Sequence, residues 1–500
     1  MMRKLLARLL VTAFALTLTG CFSTHDIRTY GDLSDAIHEP LRIMTVDTTV
    51  YDLNTFSFND SLLMGDGECL VGGRWSHFSG NLPMSRIVYI QTRSLNMFQS
   101  VLGLGLLGLT AEVIEYSTPG RGLSVYRTMG GDGLIGSCPY VYAWDGSAYV
   151  RQGEAFGTAL GKGLEASTAC LLPAASDMDG EVRVRIADER PETHYINAVH
   201  VSACEVPPGS PVSLDTRDRV WPLPSLVPPL VAPEPIKKRD NIWWKSHTPR
   251  QKGAYRDTLE LVLPVAAGAL EGSFVVHAVN THLSDAVFGR LFGFLGDESL
   301  PYLYRIEHDT ETITLLKGWI EECGLHVDVR DGGSWVNAGT ISPEANDVPF
   351  TRLVRIRVPE NAGESLRVRV RMLADTWQID DVAIDWSPAL PLEEHTRPLL
   401  AALHSTSGDV EQSLRMRDSE YVRLIPGEYV DLRFHAFRPR EGYSAVYTCH
   451  AAGYLYEWFN DRPVAKDGPD LFALSGLSRI DAVQSLLGNH DALLSLLFDR

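Results

Sequence analysis

Histidine, cysteine and aspartate side chains that could do chemistry occur in two small groups. His194, His200 and Cys204 offer the nitrogen and sulfur ligands that zinc prefers. On an extended strand, however, His200 and Cys204 would lie roughly 13 Å apart at ~3.3 Å per residue, too far to share one ion. Asp380 and Asp381 are adjacent carboxylates, but neighbouring strand residues point to opposite faces. We therefore predict no metal site and no catalytic pair in either group.

The short motifs of metal, nucleotide and serine chemistry are missing from the sequence. It holds no His-Glu-x-x-His, no phosphate-binding loop and no Gly-x-Ser-x-Gly. Gly488 to Asp491 reads Gly-Asn-His-Asp and resembles a metal-ligating motif of calcineurin-like metallophosphatases. That fold needs further histidine ligands downstream, and only nine residues follow Asp491, none of them His. We predict a loop with a helix cap at Asn489 or Asp491, no catalytic residue and no cofactor.

The N-terminus has the pattern of a secretory signal peptide that ends in a modifiable cysteine. Three basic residues precede an apolar run shorter than the ~20 residues that span a bilayer. Leu18 to Cys21 reads Leu-Thr-Gly-Cys and resembles the lipobox of bacterial lipoproteins. The resemblance implies diacylglycerol on the Cys21 thiol and attachment to the membrane through this lipid anchor. Phe22 is not the Asp that retains such proteins at the inner membrane, so the outer membrane is favoured.

Charge and composition narrow the range of partners. The 500 residues are 45% hydrophobic and 22% charged, which is ordinary globular usage. There are 45 Lys plus Arg against 63 Asp plus Glu, a formal charge of -18, and loss of the three leader cations would make it -21. A chain this acidic is unsuited to coating a phosphate backbone, so we expect no nucleic acid partner.

Six cysteines remain besides Cys21, and they are too sparse for a disulfide scaffold. Either one or two structural disulfides or simply buried thiols would fit this number. The six are Cys69, Cys138, Cys170, Cys204, Cys323 and Cys449.

The elements that would carry these residues are mainly β-strands. Val182, Val184 and Ile186 alternate with charged residues, as a half-buried strand requires. Asp145-Gly146 and Asp331-Gly332-Gly333 are typical of hairpin turns. We predict a mainly β fold of several small β-roll or β-sandwich domains, jelly-roll-like, with a few short helices and a C-terminal helix.

Two apolar stripes at helical spacing predict the internal helices. One stripe runs from Phe288 to Leu295 and begins after Ser284 or Asp285. The other runs from Ile313 to Ile320 and ends at Gly324. Both helices fall within one otherwise strand-rich segment.

Composition divides the chain into seven segments. The Pro-rich segment contains ten of the 28 prolines and is expected to cross the surface in extended form. A Gly-rich apolar run at Val101–Leu109 is too short to span a membrane and predicts a buried hairpin or short core helix. The predicted segments are a signal peptide (1–20), a lipidated N-terminus and tether (21–40), a small β domain with the apolar Gly-rich run (41–135), a β domain with a Trp-Asp-Gly hairpin (136–206), a Pro-rich connection (207–256), a β-sandwich-like domain with two helices (257–390), and C-terminal strands with a helix (391–500).

Two resemblances extend this organisation. Residues 137–204 carry Cys-Pro-aromatic-Val-Tyr from Cys138, then Trp-Asp-Gly from Trp144, and resemble a family of uncharacterised bacterial lipoproteins. This resemblance implies a shared fold and no known activity. Residues 320–388 look like the closing strands of galactose-binding-like β-sandwiches, with an arginine-alternating strand followed by an aromatic-x-Ile-Asp-x-Val strand.

The leading functional hypothesis is a non-enzymatic, lipid-anchored envelope protein that binds or assembles with another envelope component, a protein or a glycan. Trp335 and Trp377 are the predicted binding residues, because aromatic faces stack on sugar rings. The alternative is an envelope hydrolase that cuts a glycan or peptide with two carboxylates about 5 to 10 Å apart in a deep pocket. A third hypothesis, a purely structural assembly protein, predicts no concave pocket.

Overall fold

A computed structural model describes most of the chain. Cys21, Cys138 and Val101–Leu109 lie outside the described residues, as does most of the stripe from Phe288 to Leu295. The predictions made on these residues remain predictions. The described residues are 22–26, 40–45, 49–59, 62–71, 74–95, 139–177, 179–189, 192–247, 253–281, 283, 287, 291, 294–295, 298–344, 348–388, 390–425, 427–457 and 478–498.

The first 95 residues contribute one six-stranded antiparallel sheet, sheet A, in the order β1-β6-β2-β3-β4-β5. It belongs to the first of two compact units of the chain. Side chains of the sheet itself, among them Leu41, Ile43 and Leu53, form a small apolar cluster. The strands are β1 (Phe22–Asp26), β2 (Leu41–Thr45), β3 (Val50–Phe58), β4 (Leu62–Val71), β5 (Arg74–Pro83) and β6 (Ile87–Leu95).

Residues 299–305, 456–457 and 479–483 also belong to the first unit, and the second unit contains the rest of the remaining four sheets. Its first strands are β7 (Tyr140–Trp144), β8 (Tyr149–Glu154), β9 (Ala166–Leu171), β10 (Glu181–Ala187) and β11 (Glu192–Val206). The next elements are β12 (Val212–Asp215), β13 (Val220–Pro222), β14 (Leu226–Val227), β15 (Trp244–Lys245), β16 (Arg256–Pro264), β17 (Glu271–Asn280), the helices α1 (Ser299–His308) and α2 (Thr310–Glu322), β18 (Leu325–Asp331), β19 (Ser334–Ile341), β20 (Phe350–Arg357), β21 (Ser365–Leu373) and β22 (Trp377–Asp385).

The last strands of the chain join sheets with strands that precede residue 207. The last elements are β23 (His395–Arg397), β24 (Leu399–His404), β25 (Gly408–Asp409), helix α3 (Glu411–Leu414), β26 (Val422–Leu424), β27 (Tyr429–His435), β28 (Ser444–Glu457), and the helices α4 (Arg479–Leu487) and α5 (His490–Phe498). Sheet B has the order β25-β24-β27-β10-β7-β8, and sheet C has the order β23-β11-β28-β9, with β26 also paired to β11.

The segments predicted separately at 136–206 and 391–500 therefore share two sheets. Strand β10 pairs with β27 over its whole length, and β9 pairs with β28. These paired residues lie more than 240 positions apart in sequence, and no local pattern shows such long-range pairing. The structure thus corrects the boundary: the two segments build one set of sheets around an inserted sandwich.

The inserted sandwich consists of two sheets that share one apolar core. Sheet D has the order β13-β12-β20-β17-β22-β14, with β15 also paired to β22, and sheet E has the order β16-β21-β18-β19. Both sheets contribute alternating apolar side chains to the core, which confirms the mainly β, sandwich-like fold class. Core residues include Phe274, Val276, Val354, Ile379 and Ile384 from sheet D, and Leu259, Leu261, Val327, Val368 and Val370 from sheet E.

The Pro-rich segment at 207–256 is part of this sandwich. The sequence predicts a surface connection, whereas the structure forms β12 to β15 there and pairs them within sheet D. Proline is tolerated because β13 and β14 are two- or three-residue strands at the sheet edges. Ile236, between them and β15, is fully buried in the shared core.

The helix predicted over Ile313–Ile320 is confirmed as α2. Asp309 caps it by accepting hydrogen bonds from the backbone N–H groups of Glu311 and Thr312. The C-terminal apolar stretch forms two helices, because Asn489 ends the run and accepts from the Ala492 N–H at 3.1 Å, as the predicted helix cap. Among the described residues, no helix has the length and apolar character needed to cross a membrane.

Candidate functional site

Trp377, one of the two predicted binding residues, lies in the sandwich core. Its side chain is 0% exposed, and its Nε1 donates to the Cys323 carbonyl at 2.8 Å. Trp377 shares the core with Ile379, which follows two residues later on β22. A ring enclosed in this way cannot stack on a ligand, so the prediction for Trp377 is wrong.

Trp335, the other predicted binding residue, lies on the outer face of sheet E and is half-buried. The Asp331–Gly333 turn positions it, since Gly332 adopts a left-handed φ of 54° and returns β19 beside β18. Register places Trp335 opposite Arg330, whose guanidinium carbon lies 5.3 Å from the ring centroid. The Arg369 guanidinium carbon lies 4.7 Å from the same centroid.

Alternation along β21 gives this face its arginines. Leu366, Val368 and Val370 enter the core, so the arginines between and after them point outward. We call the outward set the Trp335 face, and it consists of Asp328, Arg330, Trp335, Asn337, Arg367, Arg369 and Arg371.

Asp328 organises one half of the Trp335 face. Its carboxylate accepts from Arg371 Nε at 2.6 Å, from Arg369 Nε at 2.7 Å and from Asn337 Nδ2 at 3.1 Å. Burial would raise the pKa of Asp328, but the hydrogen bonds from Arg371, Arg369 and Asn337 outweigh burial and lower this pKa to about 2. The carboxylate therefore stays charged and holds Arg371 and Arg369, of which Arg369 lies beside the Trp335 ring.

A partly exposed aromatic ring next to fixed hydrogen-bond donors is chemically suited to saccharide binding. The ring offers an apolar surface to the C–H groups of a pyranose, and the guanidinium groups can donate to its hydroxyl oxygens. Because the sheet face is open, an extended chain could lie across it without a pocket.

The second unit also contains a cavity of about 510 Å³, a size typical of small-ligand sites. Its walls come from β8, β9, β12 and β20 together with nearby loops, and most of the lining is apolar. Apolar lining residues include Leu171, Leu172, Val212, Leu214, Val348, Phe350 and Val446. Polar lining residues include Gln152, Glu154, Ser210, Arg239, His277, Glu344, Thr351 and Arg352.

One cluster of polar side chains in the cavity is centred on Thr351. Its Oγ1 accepts from Arg239 at 2.7 Å and lies 3.0 Å from His277 Nδ1 in a second hydrogen bond. Burial, assisted by the positive charge of Arg239, lowers the pKa of His277 to about 4. His277 is therefore neutral near pH 7, and the Trp243 ring lies 5.7 Å from the imidazole centroid.

The other cluster of polar side chains is centred on the buried Arg352. Its guanidinium contacts the Glu344 carboxylate, lies 3.1 Å from Asp218 Oδ1 and donates to the Ala169 carbonyl at 2.7 Å. Burial raises the pKa of Glu344 even though Arg352 acts to lower it. Glu154, which is also buried, lines the same cavity.

The residues first considered for metal or acid–base chemistry lie apart. Asp380 is fully buried and accepts from the Asp240 N–H at 3.3 Å, whereas Asp381 is half-buried opposite His277. His200 stacks on the His450 ring, with centroids 4.4 Å apart. Among the described residues, no three His, Cys, Asp or Glu side chains come together as a metal site. The five described cysteines are free thiols: Cys69, Cys170, Cys204, Cys323 and Cys449.

His194 has a different environment that the sequence did not show. It is completely buried, with Asp188 Oδ2 at 2.9 Å from Nδ1 and Glu192 Oε2 at 2.8 Å from Nε2. Burial alone would lower the pKa of His194, but the two carboxylates raise it to about 10. His194 is thus an imidazolium inside an ion triplet.

The cavity residues were missed for a topological reason. Arg239, His277 and Thr351 come from three distant segments, and only strand pairing brings them together. One local signal was present: His277 interrupts the apolar run of β17 and lies directly before a register shift. A polar residue at such an irregularity often marks a functional position.

Comparisons with known proteins add little. No protein-family model matches the chain, and no curated protein matches it. Among solved structures, the chain is similar to the "infectious bursal disease virus VP2 subviral particle", at 9% identity and a TM-score of 0.12. That similarity covers 94% of this chain and 92% of the other. At this TM-score the similarity supports no statement about fold or function.

Proposed function

We propose that this protein is a lipid-anchored component of a bacterial cell envelope that binds an envelope glycan on the Trp335 face, without catalysing a reaction. The observation that carries the proposal is the position of Trp335, half-buried on the outer face of sheet E with two guanidinium groups close to its ring. Tryptophan is costly to leave partly in water, and aromatic and arginine side chains dominate binding surfaces.

The anchor rests on Cys21 and the residues before it. Replacing this cysteine, Cys21→Ala, removes the thiol that would carry diacylglycerol. We expect the variant to accumulate as a precursor that does not label with a palmitate analogue and that leaves the membrane fraction. Labelling or membrane fractionation equal to that of the wild type would contradict the anchor.

The glycan proposal is tested by screening the purified mature chain on an array of bacterial envelope glycans. We expect a restricted set of saccharides to bind, and Trp335→Ala to abolish those signals. Crosslinking in native membranes should then recover glycan-bearing species. A silent array together with no captured envelope component would contradict the proposal.

The cavity supports the second candidate function, an envelope hydrolase. Two carboxylates, Glu154 and Glu344, line it, and a carboxyl group with a raised pKa is suited to act as a general acid. This candidate predicts that Glu154→Gln and Glu344→Gln each abolish cleavage of a glycan or peptide, while Trp335→Ala spares the chemical step. Absence of cleavage products with the wild type would eliminate it.

A further inference from the structure

Two arginines on the Trp335 face lack a carboxylate partner. Among the described residues, no ion pair or side-chain hydrogen bond involves Arg330 or Arg367. By contrast, Arg369 and Arg371 are held by Asp328. Arg330 and Arg367 therefore differ from the other two arginines of the Trp335 face, which form ion pairs.

The register of sheet E relates the two arginines to each other and to Trp335. Strands β18 and β21 pair in a register that ends with Val329 opposite Val368, and continuing this register by one residue would place Arg330 beside Arg367. Register on the other side places Arg330 opposite Trp335. One row across the sheet thus reads Arg367, Arg330, Trp335.

Such a row is unfavourable without a ligand. Like charges on adjacent strands repel each other, and neither arginine forms an ion pair with a described carboxylate. The outward carboxylate on the neighbouring strand, Glu260, lies opposite Arg369 and not opposite Arg367. The chain as a whole is acidic, at a formal charge of -18, so two adjacent unpaired arginines form a local positive site on a negatively charged protein. An anion placed between the guanidinium groups would relieve the repulsion and accept several charge-assisted hydrogen bonds.

We infer that the ligand of the Trp335 face is an anionic saccharide, an inference that rests on the proposed glycan binding. One pyranose ring lies against Trp335, and the acidic group on that residue or the next binds Arg330 and Arg367. Carboxylate, sulfate and phosphate share the required chemistry, since each presents oxygens in the geometry that a guanidinium recognises. Arg369, held by Asp328, stays 4.7 Å from the ring centroid and need not move.

A saccharide is favoured over an acidic peptide because of the aromatic ring. An acidic peptide would need only the arginines, whereas the row ends in a half-buried tryptophan on the same face. Arg330 is free to leave the ring, because no carboxylate holds it. The ring surface next to Arg330 can therefore be uncovered when the anion draws the guanidinium aside.

The test measures binding of the full mature chain by titration calorimetry. The probes are a uronic-acid oligosaccharide and its carboxyl-reduced form, a sulfated dextran oligosaccharide and its unsulfated parent, and polyglutamate of similar charge. We expect each anionic saccharide to bind at least about tenfold more tightly than its neutral counterpart. We expect Arg330→Gln and Arg367→Gln to lose about tenfold each, as loss of one charge-assisted hydrogen bond implies.

Arg256→Gln is the matched control, because Arg256 lies on the same sheet but is paired with Glu322 and Asp491. It should bind the anionic probes like the wild type, and thermal melting should show that all three variants are folded. Neutral and anionic forms that bind equally, with Trp335→Ala still deleterious, would overturn this inference and leave the glycan proposal standing. Polyglutamate that binds as tightly, insensitive to Trp335→Ala, would overturn it in favour of an acidic peptide. If no saccharide binds, the glycan proposal fails as well.

Discussion

At the scale of single residues, His194 forms a fully buried ion triplet with Asp188 and Glu192. An imidazolium enclosed with two carboxylates has lost its hydration, and only the opposite charges compensate. Removing one partner of such a group costs about 3–5 kcal/mol, because the remaining charges stay buried and unpaired. The triplet is therefore a structural feature of β11 and its neighbours.

This gives a prediction for His194→Gln. The folded-state pKa of His194 is about 10 and that of an unfolded histidine is about 6.5. Its stabilising contribution is therefore complete below about pH 6.5 and is lost as the pH rises through about 10. Urea unfolding at pH 6, 8 and 10 measures this. The free energy of unfolding of the wild type should decline as the pH rises, and at pH 6 the variant should be less stable than the wild type by several kcal/mol.

The control is His200→Gln on the same strand, at an exposed position. Burial lowers the pKa of His200 to about 4, so this residue is neutral at pH 8 and pH 10. The variant should therefore keep the wild-type decline between pH 8 and pH 10 and lose only about 1 kcal/mol with the His450 stacking contact. Equal stability of His194→Gln and the wild type at pH 6 would contradict the ion triplet.

The sequence could distinguish the two tryptophans better than their residue type suggests. Trp377 and Ile379 are two residues apart on one strand and so lie on the same face, which is the core face. Trp335 and Asn337 are likewise two residues apart, and the polar Asn337 indicates an outward face. Alternation alone therefore separates a buried ring from an exposed one. No pattern along the chain could reveal that the register brings Arg367 towards Arg330, because β18 and β21 are neighbours in the sheet but are not consecutive strands in the sequence.

At the scale of elements, the Pro-rich segment depends on one buried carboxylate. Asp215, at the end of β12, accepts from the backbone N–H groups of Arg217 and Arg219 at 2.8 and 3.0 Å. It also accepts from Arg219 Nε at 2.8 Å and from Trp221 Nε1 at 2.9 Å. These contacts fix the β12–β13 hairpin in a segment where proline prevents regular pairing.

We predict that Asp215→Ala destabilises the protein by about 2–4 kcal/mol, because the buried Trp221 N–H and two backbone N–H groups lose their acceptor. Asp215→Asn should cost less, since one oxygen acceptor remains. Urea unfolding of the two variants measures the difference. Equal stability of Asp215→Ala and the wild type would show that the hairpin does not need this carboxylate.

Local elements were predictable and the pairing between them was not. The Asp145-Gly146 hairpin forms between β7 and β8, and the Asp145 carboxylate accepts from the Ser147 and Ala148 N–H groups at 2.7 and 2.8 Å. Such turns are encoded by adjacent residues. Strand β12, in contrast, pairs with β20 more than 130 residues later, so its surroundings identify it only after folding.

At the scale of the whole molecule, the sandwich is an insertion between strands that pair with each other. Sheets D and E contain strands β12 to β22, whereas sheets B and C combine strands from both sides of that stretch. A segment spanning residues 208–388 therefore contains every strand of the sandwich, and the predicted segment 257–390 omits four of them.

This arrangement predicts the behaviour of two fragments. The fragment 208–388 should fold cooperatively when expressed alone, with near-ultraviolet circular dichroism typical of packed tryptophans. The fragment 257–390 should be markedly less stable, because it lacks β12 to β15 and the buried Ile236. Equal urea midpoints for the two fragments would contradict the assignment of residues 207–256 to the sandwich.

The most direct test of the central claim is the affinity of one array-identified glycan for the wild type, Trp335→Phe and Trp335→Ala, measured by titration calorimetry at one salt concentration. If the ring stacks on the ligand, Trp335→Phe retains most of the affinity and Trp335→Ala loses about tenfold or more, since aromatic contacts contribute on the order of 1 kcal/mol beyond burial. Equal affinities for all three proteins would contradict binding on the Trp335 face.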